Sequence, residues 1–384
     1  MSHRVRCVSW QKSRAWLYAH NVDFATSASG TIGIEWELQL VDPSSRALVG
    51  CAQQFVSTLG DQRVKSEFFT NTIELVTGVH VGVDAAVAEL EGLRDSVLAH
   101  AEASGLALVG MGIHPAAHWR DQRVSDDDMY RRLLAKASSW GARQIILGVH
   151  THIGVDDRET AIALQRSLVG SLPLVLALSA SSPFWHGTDT GFDSQRTMIF
   201  QQLPNAGLPP VFASWADYEA AAADLIDCGA VDSVNELRWD VRPAAAFGTV
   251  ESRIADGATS IAEVAAVSAL TAALAEEARR ASVSQSATQQ LPEWLLRENR
   301  WRAARYGLEA EIVIEKGRTA PVRTAAAEAV DRLMPIADEI GAAAALQQVP
   351  RILSTGNAAS RQRRGAEAGG MHSVVDMLID DLRA

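Results

Sequence analysis

Four short stretches of the chain alternate between apolar and polar residues with a period of two, which predicts β-strands. They are Gly33–Leu38, Asn71–Val76, Gly148–Ile153 and Thr249–Ile254. In the first stretch Ile34, Trp36 and Leu38 share one side. If the four strands belong to one sheet, one of its faces is covered by carboxylates, imidazoles and a guanidinium group.

The polar positions of these stretches fall on one side of each predicted strand. They are Glu35 and Glu37, then Glu74, then His150 and His152, and finally Glu251 and Arg253. Taken alone, each stretch is better explained by an antiparallel sheet with one solvated face. Four such stretches together favour a site that holds hard cations and a triphosphate.

Apolar residues at helical spacing predict helices between these strands. The predicted helices are Asp84–Ser104, Thr160–Leu178 with a kink or break at Pro173, Ala216–Asp227, Thr259–Ala281, Ala325–Gly341 and Ser373–Leu382. Segments rich in Gly, Pro, Ser and Asn predict loops at Ser182–Ser194, Gln202–Pro210 and Ser354–Gly370. Strands spaced irregularly among helices favour an α+β fold over a strict βαβ alternation.

Composition narrows the class of protein. The 384 residues are 47% apolar and 21% charged, which is typical of a globular chain with a sizeable core. A formal net charge of −11 argues against a nucleic-acid or anionic-membrane binder. The longest apolar run is too short to cross a bilayer. We expect an irregular leader over residues 1–30 and a single domain over 31–384.

Three scattered cysteines, Cys7, Cys51 and Cys228, have no C-x-x-C spacing. They indicate neither a disulfide framework nor a zinc site, and a reducing cytoplasm is the simplest location. The basic N-terminus lacks the apolar segment of a secretory signal. Neither a phosphate-binding P-loop nor a dinucleotide-binding glycine motif follows a predicted strand.

Clustered carboxylates repel one another, and a divalent cation relieves that conflict. Oxygen-rich ligands without thiolates select Mg²⁺ or Mn²⁺, and Mg²⁺ held by a few carboxylates usually also binds substrate phosphates. Glu67 precedes Glu74 by seven residues, an odd offset. A turn or bulge around residues 69–71 is needed to bring both to the same face.

The remaining polar residues divide between metal and anion chemistry. We interpret one histidine of the His150 and His152 pair as a cation ligand and the other as its support. Glu251 beside Arg253 is a local ion pair or, in a metal–phosphate site, a metal ligand beside a phosphate contact. Other arginines concentrate in motif-like contexts, and in an acidic protein such concentrations indicate bound anions. They include Arg196, Arg242 and the C-terminal trio Arg361, Arg363 and Arg364; the helical run 298–306 has three more, for which a salt-bridged helix face is an equal explanation.

Seven segments, in this order, resemble the bacterial glutamate–cysteine ligase family, in particular its short type 2 carboxylate–amine ligases. The segments are Gly33–Asp42, Asn71–Val79, Gly148–Val155, Leu178–Arg196, Arg238–Asp256, Glu298–Leu308 and Ala359–Arg364. The resemblance implies a catalytic fold like that of glutamine synthetase, with a curved, mostly antiparallel sheet flanked by helices. It also implies that ATP phosphorylates the γ-carboxylate of glutamate and that an amine, with cysteine as the family's named acceptor, attacks the acyl phosphate.

The resemblance assigns roles residue by residue. The implied metal ligands are Glu35, Glu37, Glu67, Glu74, His150 and Glu251; the catalytic pair is Glu251 and Arg253; the ATP or phosphate contacts are Arg253, Arg361 and Arg364; the substrate contacts are Arg196 and Arg242. The family often has aspartate at the place of Glu67 and a third acid at the place of Trp36. Because Trp36 points to the opposite face, the metal-binding face should be preserved.

The expected partners are therefore small molecules: ATP with Mg²⁺ or Mn²⁺, an acid such as glutamate, and an amine. We expect no nucleic acid and no membrane, and a homo-oligomer is possible. Two alternatives remain on the same fold: a small-molecule phosphotransferase, and a metal-dependent hydrolase of γ-glutamyl amides that uses a metal-bound water. The surplus of arginine argues against the hydrolase, which has no triphosphate to neutralise.

Overall fold

A computed structural model describes residues 22–283 and 291–384 of the chain. Residues 1–21 of the expected leader lie outside the described residues. Residues 22–30 form neither helix nor strand and run along the end of the main sheet, where the Ser27 amide donates to the Val155 carbonyl at 3.0 Å and the Gly30 amide to the Gly154 carbonyl at 3.0 Å. The division into a leader and a single domain stays a prediction.

The strands include all four that the alternating pattern predicts. They are β1 (Thr31–Val41), β2 (Val64–Ser66), β3 (Thr72–Val76), β4 (His80–Val81), β5 (Ala107–Val109), β6 (Gly148–Gly154), β7 (Phe184–Trp185), β8 (Thr188–Asp189), β9 (Ala206–Gly207), β10 (Arg238–Trp239), β11 (Val241–Ala244), β12 (Thr249–Asp256), β13 (Glu311–Glu315) and β14 (Arg318–Pro321). The predicted stretches correspond to β1, β3, β6 and β12.

Helices fill most of the chain between the strands. They are α1 (Ala52–Leu59), α2 (Val83–Ala103), α3 (Asp128–Ala137), α4 (Ser139–Ala142), α5 (Arg158–Val169), α6 (Leu172–Ser179), α7 (Gln195–Phe200), α8 (Trp215–Asp227), α9 (Ile261–Val283), α10 (Glu293–Tyr306), α11 (Val322–Glu339), α12 (Ala343–Leu346), α13 (Gln348–Thr355) and α14 (Ala358–Arg383). Short 3₁₀ helices occur at Trp119–Asp121, Val234–Glu236 and Gly307–Glu309.

The main sheet has the strand order β11-β12-β6-β1-β3-β2, with β4 and β5 also paired to β1. Every pairing in this sheet is antiparallel. The four predicted strands are therefore adjacent, in the order β12, β6, β1 and β3. The α+β class with a mostly antiparallel sheet flanked by helices, as predicted from the sequence, is confirmed.

The two faces of this sheet differ as the period-two pattern requires. Ile34, Trp36 and Leu38 of β1 are at most 1% exposed and join one hydrophobic core with apolar residues of β3, β6 and β12. Helix α9 packs against this apolar face, where the hydroxyl groups of Thr151 and Ser268 lie 3.1 Å apart. The charged side chains of the same strands occupy the other face.

The long apolar segment predicted as one helix, Thr160–Leu178, is two helices, α5 and α6, which meet at 62°. The break falls at residues 170–171, before Pro173 rather than at it. Pro173 sits in the first turn of α6, where its missing N–H is not needed. No single helix in the described ranges is long and apolar enough to cross a membrane, although this bent pair passes on length and composition together.

The loop predicted at Ser354–Gly370 is wrong. Residues from Ala358 onward are helical and belong to α14, which Asn357 caps by accepting from the Ser360 amide at 3.0 Å. The glycine pair that suggested a loop instead forms a kink, since Gly370 has a φ of 70°. Two of its polar residues form ion pairs instead, Arg361 with Glu263 and Asp381, and Arg363 with Asp189 and Asp193.

Candidate active site

The register of the main sheet brings the predicted polar residues into contact. Glu37 of β1 lies opposite Glu74 of β3, and Glu35 lies opposite His150 of β6. On the next strand Glu251 pairs in register with His152, and Arg242 of β11 pairs with Glu251. We call this surface the acidic face; it comprises Glu35, Glu37, Glu67, Glu74, His150, His152, Glu251 and Arg253.

Glu67 reaches the acidic face through the expected turn. Strands β2 and β3 form a hairpin in which Lys65 lies opposite Glu74 and Ser66 opposite Ile73. The Glu67 amide donates to the Thr72 carbonyl at 3.0 Å, which extends the ladder by one pair. Residues opposite each other in an antiparallel ladder share a face, so the turn cancels the odd offset between Glu67 and Glu74.

A β-bulge places Arg253 on the acidic face. The register between β12 and β6 shifts by one residue between Ser252 and Ala255, so two residues of β12, Arg253 and Ile254, face His150. Bulges of this kind re-aim a side chain locally. Arg253 therefore stays on the side of Glu251 although the ladder is interrupted at its position.

Glu35 lies between two imidazoles. Its Oε2 is 2.8 Å from Nδ1 of His150, and its Oε1 is 3.4 Å from Nε2 of His152. Burial works to raise the pKa of Glu35, but hydrogen bonds and charge from both histidines outweigh it and hold the pKa well below the usual range. Burial and the charge of Arg253 lower the pKa of His150 to about 4. At neutral pH Glu35 is therefore ionised.

The other three carboxylates, Glu37, Glu67 and Glu74, have no imidazole partner among the residues that the structure describes. Burial, followed by the charge of Glu67, raises the pKa of Glu37 to about 8, although its Oε2 accepts from the Gly148 amide at 2.5 Å. Burial also raises the pKa of Glu67, and burial together with the charges of Glu35, Glu67 and Glu37 raises that of Glu74 well above its usual value. These three groups need a proton or a cation to be accommodated together.

Glu251 is almost fully buried between two arginines. Its Oε2 accepts from Nε of Arg242 at 2.8 Å, and its Oε1 is bound by Nη1 of Arg253. Burial opposes ionisation, but the charges of Arg253 and Arg242 hold the pKa of Glu251 well below its usual range. Nε of Arg253 is buried and has no hydrogen-bond partner among the described residues. The Arg253 guanidinium can therefore donate a hydrogen bond to a further anion.

Two groups on the acidic face have the donor set of a cation site. The ligand atoms of Glu35, His152 and Glu251 lie within 4.8 Å of one another, and so do those of Glu35, Glu74 and His150. Glu35 belongs to both groups, as in sites where one carboxylate lies between two cations. Carboxylate oxygens with one imidazole and no thiolate suit Mg²⁺ or Mn²⁺, so the residues present fit the expected metal.

Arg196, predicted to contact substrate, is buried behind the bulge. Its guanidinium donates to the carbonyls of Ile254 at 3.3 Å and Arg253 at 3.2 Å, while its Nε has no partner in the described part of the chain. Burial lowers its pKa, and the charges of Asp256 and Glu37 oppose that effect. These contacts hold the bulge beneath Arg253. A role in binding substrate stays a prediction.

Arg242, also predicted to contact substrate, is held by neighbours on the protein itself. Besides Glu251, it donates through Nη1 to the carbonyls of Asn235 and Leu237, both at 2.8 Å. Its contacts fix the orientation of the Glu251 carboxylate. Contact with substrate stays a prediction here too.

The C-terminal arginines predicted to contact ATP make other contacts. Arg361 pairs with Glu263 of α9 at 2.6 Å and with Asp381 of α14 at 3.1 Å. Glu263 begins the helix that packs on the apolar face of the sheet, so these pairs lie on the opposite side from the acidic face. Arg364 is exposed and donates to the Thr355 carbonyl at 3.0 Å. Their predicted phosphate contacts remain untested.

Three residues on or beside the acidic face have contacts that were not predicted from the sequence. His152 has the geometry of a cation ligand rather than only a support. Lys65 lies opposite Glu74, and the hydroxyl of Tyr130 on α3 lies 3.5 Å from Oε2 of Glu67. Lys65 could have been found from its period-two spacing to Glu67. Tyr130 could not, because its contact depends on how α3 packs over the turn.

Comparisons with known proteins show the family to which this chain belongs. The model of the family described as glutamate-cysteine ligase family 2 matches residues 31–377. A protein of Leifsonia xyli, provisionally named glutamate–cysteine ligase 2, is 42% identical over 371 residues, covering 94% of this chain and 98% of its own. A protein of Micrococcus luteus with the same provisional name is 41% identical over 356 residues, covering 90% of this chain and 89% of its own.

Solved structures show the same fold at low sequence identity. The glutamate–cysteine ligase of Francisella tularensis in complex with AMP matches with a TM-score of 0.66 at 15% identity, covering 94% of this chain and 89% of its own. A bifunctional glutathione synthetase from Pasteurella multocida matches with a TM-score of 0.64 at 13% identity, covering 91% of this chain and 52% of its own. The family resemblance and the fold expected from the motifs are confirmed.

Proposed function

The chain belongs to the glutamate–cysteine ligase family 2 and is an enzyme of the carboxylate–amine ligase class, and on that premise we propose its reaction. ATP phosphorylates the γ-carboxylate of glutamate, and an amine attacks the resulting acyl phosphate to give an amide, ADP and phosphate. Cysteine is the leading candidate for the amine, since the relatives are named for it.

The surplus of buried carboxylates on one face of one sheet carries this proposal. Five glutamates share the acidic face, and three of them, Glu37, Glu67 and Glu74, have a raised pKa. A purely structural sheet face has no reason to bury carboxylates without partners, because each unpaired charge costs several kcal/mol, on the order of the stability of a domain. A site that binds cations together with a triphosphate does have a reason to bury them.

The residues that would hold Mg²⁺ or Mn²⁺ are the two groups that share Glu35, supplemented by Glu37 and Glu67. Such cations would neutralise the phosphate oxygens and let two anions, a carboxylate and a triphosphate, approach each other. The AMP in the related Francisella structure supports a nucleotide as co-substrate. This chemistry requires neither a cysteine thiolate nor a covalent nucleophile of the protein.

Arg253 is the residue that we assign to the transferring phosphoryl group. Its Nε has no hydrogen-bond partner in residues 22–283 and 291–384. The charges of Glu251, Glu35 and Glu37 keep its pKa above its usual value in spite of burial, so it stays charged. A fixed guanidinium beside the reacting phosphate stabilises the negative charge of the transition state. Arg242 and Arg196 hold this group in place through Glu251 and through the backbone of the bulge.

One assay tests the proposed function. The protein is incubated with ATP, Mg²⁺ and glutamate, with and without a panel of amines that includes cysteine, and ADP and amide are measured. ADP release that depends on the amine, with an equal amount of amide, is the expected result. A phosphorylated product without amide would indicate a phosphotransferase instead. No consumption of ATP with any acid would contradict both activities.

A further inference from the structure

Two arginines and two tryptophans form a cluster beside the acidic face that the proposed function does not use. Its members are Trp119, Arg120, Trp140 and Arg143, which we call the arginine–indole cluster. The guanidinium carbon of Arg143 lies 5.5 Å from the ring centre of Trp119 and 4.7 Å from that of Trp140. The guanidinium carbon of Arg120 lies 4.4 Å from the ring centre of Trp119.

Buried amide side chains attach this cluster to the end of the acidic face. Gln39 follows Glu35 and Glu37 on the same side of β1, and its Nε2 donates to Oδ1 of Asn71 at 3.2 Å. Nδ2 of Asn71 donates to Oε1 of Gln122 at 2.8 Å. Gln122 closes the turn that carries Trp119. The position of the cluster at this end is therefore fixed.

A second set of contacts ties the same segment to the Glu67 turn. The Thr70 amide donates to the Arg123 carbonyl at 2.9 Å, and the hydroxyl of Ser125 donates to the Glu67 carbonyl at 2.6 Å. Residues 118–125 thus form a wall at the edge where Glu37 and Glu67 lie.

The two guanidinium groups of the cluster lack carboxylate partners. In the described part of the chain no carboxylate lies within ion-pair distance of Arg120 or Arg143, and Nε of Arg143 is buried without a hydrogen-bond partner. By contrast, five other arginines that are buried or partly buried pair with carboxylates: Arg242, Arg253, Arg300, Arg361 and Arg363. An indole face holds a guanidinium in place without neutralising it, which leaves its N–H groups for an anion.

The positive charge of the cluster also acts on a neighbouring pair of imidazoles. The imidazoles of His118 and His186 stack with their ring centres 4.0 Å apart. Burial, and then the charges of His118, Arg120 and Arg143, lower the pKa of His186, while only Asp121 acts in the opposite direction. In a chain with 46 acidic and 35 basic residues, such a local excess of positive charge is suited to an anionic ligand.

We propose that the arginine–indole cluster binds a free carboxylate of one of the two organic substrates, with Arg143 as its main donor. This inference rests on the proposed function, which places the reacting carboxylate and the phosphates near Arg253. Both substrates of that reaction can supply the group, since glutamate has an α-carboxylate besides the reacting one and an amino-acid acceptor has its own. A single planar guanidinium matches a carboxylate by two parallel hydrogen bonds.

Paired substrates distinguish the two sources. Glutamate is compared with 4-aminobutyrate, which lacks the α-carboxylate, and cysteine is compared with cysteamine, which lacks its carboxylate. Each pair is assayed with wild type, Arg143→Ala and Arg143→Lys, and with Arg351→Ala as a control for an exposed arginine elsewhere on the surface. Arg143→Lys keeps the charge but loses the planar fork, and it replaces Arg143→Ala if that variant fails to fold.

We expect Arg143→Ala to raise KM by about 10- to 100-fold for the carboxylate-bearing member of one pair, with kcat nearly unchanged. The member without the carboxylate should be unaffected, and the pair that shows the effect identifies the substrate. Arg351→Ala should change neither value. If wild type and Arg143→Ala discriminate equally within both pairs, the cluster does not bind a substrate carboxylate.

A binding measurement separates failure of this proposal from failure of the proposed function. Because Trp119 and Trp140 flank Arg143, a carboxylate bound there should change tryptophan fluorescence during titration with glutamate or cysteine in the presence of a non-hydrolysable ATP analogue. Trp119→Phe should remove much of the signal. A signal that Arg143→Ala abolishes supports the cluster even if no amide is formed. A wild-type signal that persists unchanged in Arg143→Ala overturns it.

Discussion

The two sides of the main sheet both carry buried charges, but they balance them differently. On the helical side, Arg361 lies between Glu263 and Asp381, and each carboxylate has a guanidinium within 3.1 Å. On the acidic face, Glu37, Glu67 and Glu74 have no guanidinium partner within the described ranges, and each has a raised pKa. The charges on the helical side therefore balance one another within the protein. Those on the acidic face are balanced only when protons or cations bind, as a functional site requires.

Arg300 extends the comparison. For the arginines of the helical run 298–306, the sequence favoured neither ligand binding nor a salt-bridged helix face. Arg300 pairs with Asp240, with Nε 2.5 Å from Oδ2 and Nη2 3.1 Å from Oδ1, and both side chains are buried. Arg302 pairs with Glu298 at 2.7 Å. The contacts of these two residues are therefore those of a salt-bridged helix.

The largest effect should come from the pair at the centre of the acidic face. We expect Arg253→Ala to lower kcat by about 10³-fold or more, because it removes the charge next to the transferring phosphoryl group. Glu251→Gln should lower kcat by at least about 100-fold, because it removes a cation ligand and the partner of Arg253. Steady-state kinetics with saturating Mg²⁺ measure both, and circular dichroism checks the fold. Normal activity in either folded variant would refute the assignment.

The next effect concerns pH and cations. The pKa of Glu37 is raised from 4.5 to about 8, so the folded state holds its proton more tightly than the unfolded state. In a chelator, this group should therefore lower the free energy of unfolding progressively as pH rises from about 4.5 to 8. Urea titrations across this range should show the loss in wild type and a smaller loss in Glu37→Gln.

Adding Mg²⁺ or Mn²⁺ at pH 8 should restore stability in wild type, by about 2.7 kcal/mol at 100 times the Kd of the cation. The gain should shrink in Glu35→Gln, which removes the carboxylate common to both ligand groups. An equal gain in the variant and in wild type would show that the cation binds elsewhere.

A smaller effect on catalysis should distinguish the helical side. Arg361→Ala leaves two carboxylates unpaired, one of them buried, and we expect it to lower the free energy of unfolding by about 3 kcal/mol. KM for ATP should stay within about twofold of wild type in the folded fraction, since no contact reaches the acidic face. Unchanged stability with a KM for ATP raised about tenfold would favour the phosphate contact implied by the family resemblance.

The smallest effect should be that of Arg364→Ala. This residue is exposed and its side chain contacts a backbone carbonyl, so we expect a change in unfolding free energy within about 0.5 kcal/mol and unchanged kinetics. Thermal melting and ATP titrations measure both. A clear rise in KM for ATP would show that Arg364 contributes to the ATP site and would contradict this expectation.

Much of the acidic face could be predicted from the sequence because a strand reports its two faces directly. The side-chain period of two assigned Glu35, Glu37, His150 and Glu251 to one face, and the antiparallel register brought them together. The turn that aligns Glu67 with Glu74 was also foreseeable, since only a reversal of the chain cancels an odd offset. Because the period of two depends only on neighbouring residues of one strand, it can be read from the sequence without knowledge of the whole fold.

The parts that could not be predicted depend on contacts between distant segments. The sequence shows that Arg361 is basic and follows a turn, but not that Glu263 and Asp381 lie beside it. The helical segment 358–368 was mistaken for a loop because its polar residues and glycines suit both states. Glu35 belongs to two ligand groups, and His152 has the geometry of a ligand. Both facts could be seen only once the positions of three strands were known.

The most direct test of the acidic face is anomalous diffraction from crystals containing Mn²⁺ and a non-hydrolysable ATP analogue. We expect two manganese peaks within coordinating distance of Glu35, one surrounded by His152 and Glu251 and the other by Glu74 and His150. The terminal phosphate should lie against Arg253. Nucleotide bound with manganese at any other place on the chain, leaving these glutamates without a cation, would contradict this expectation.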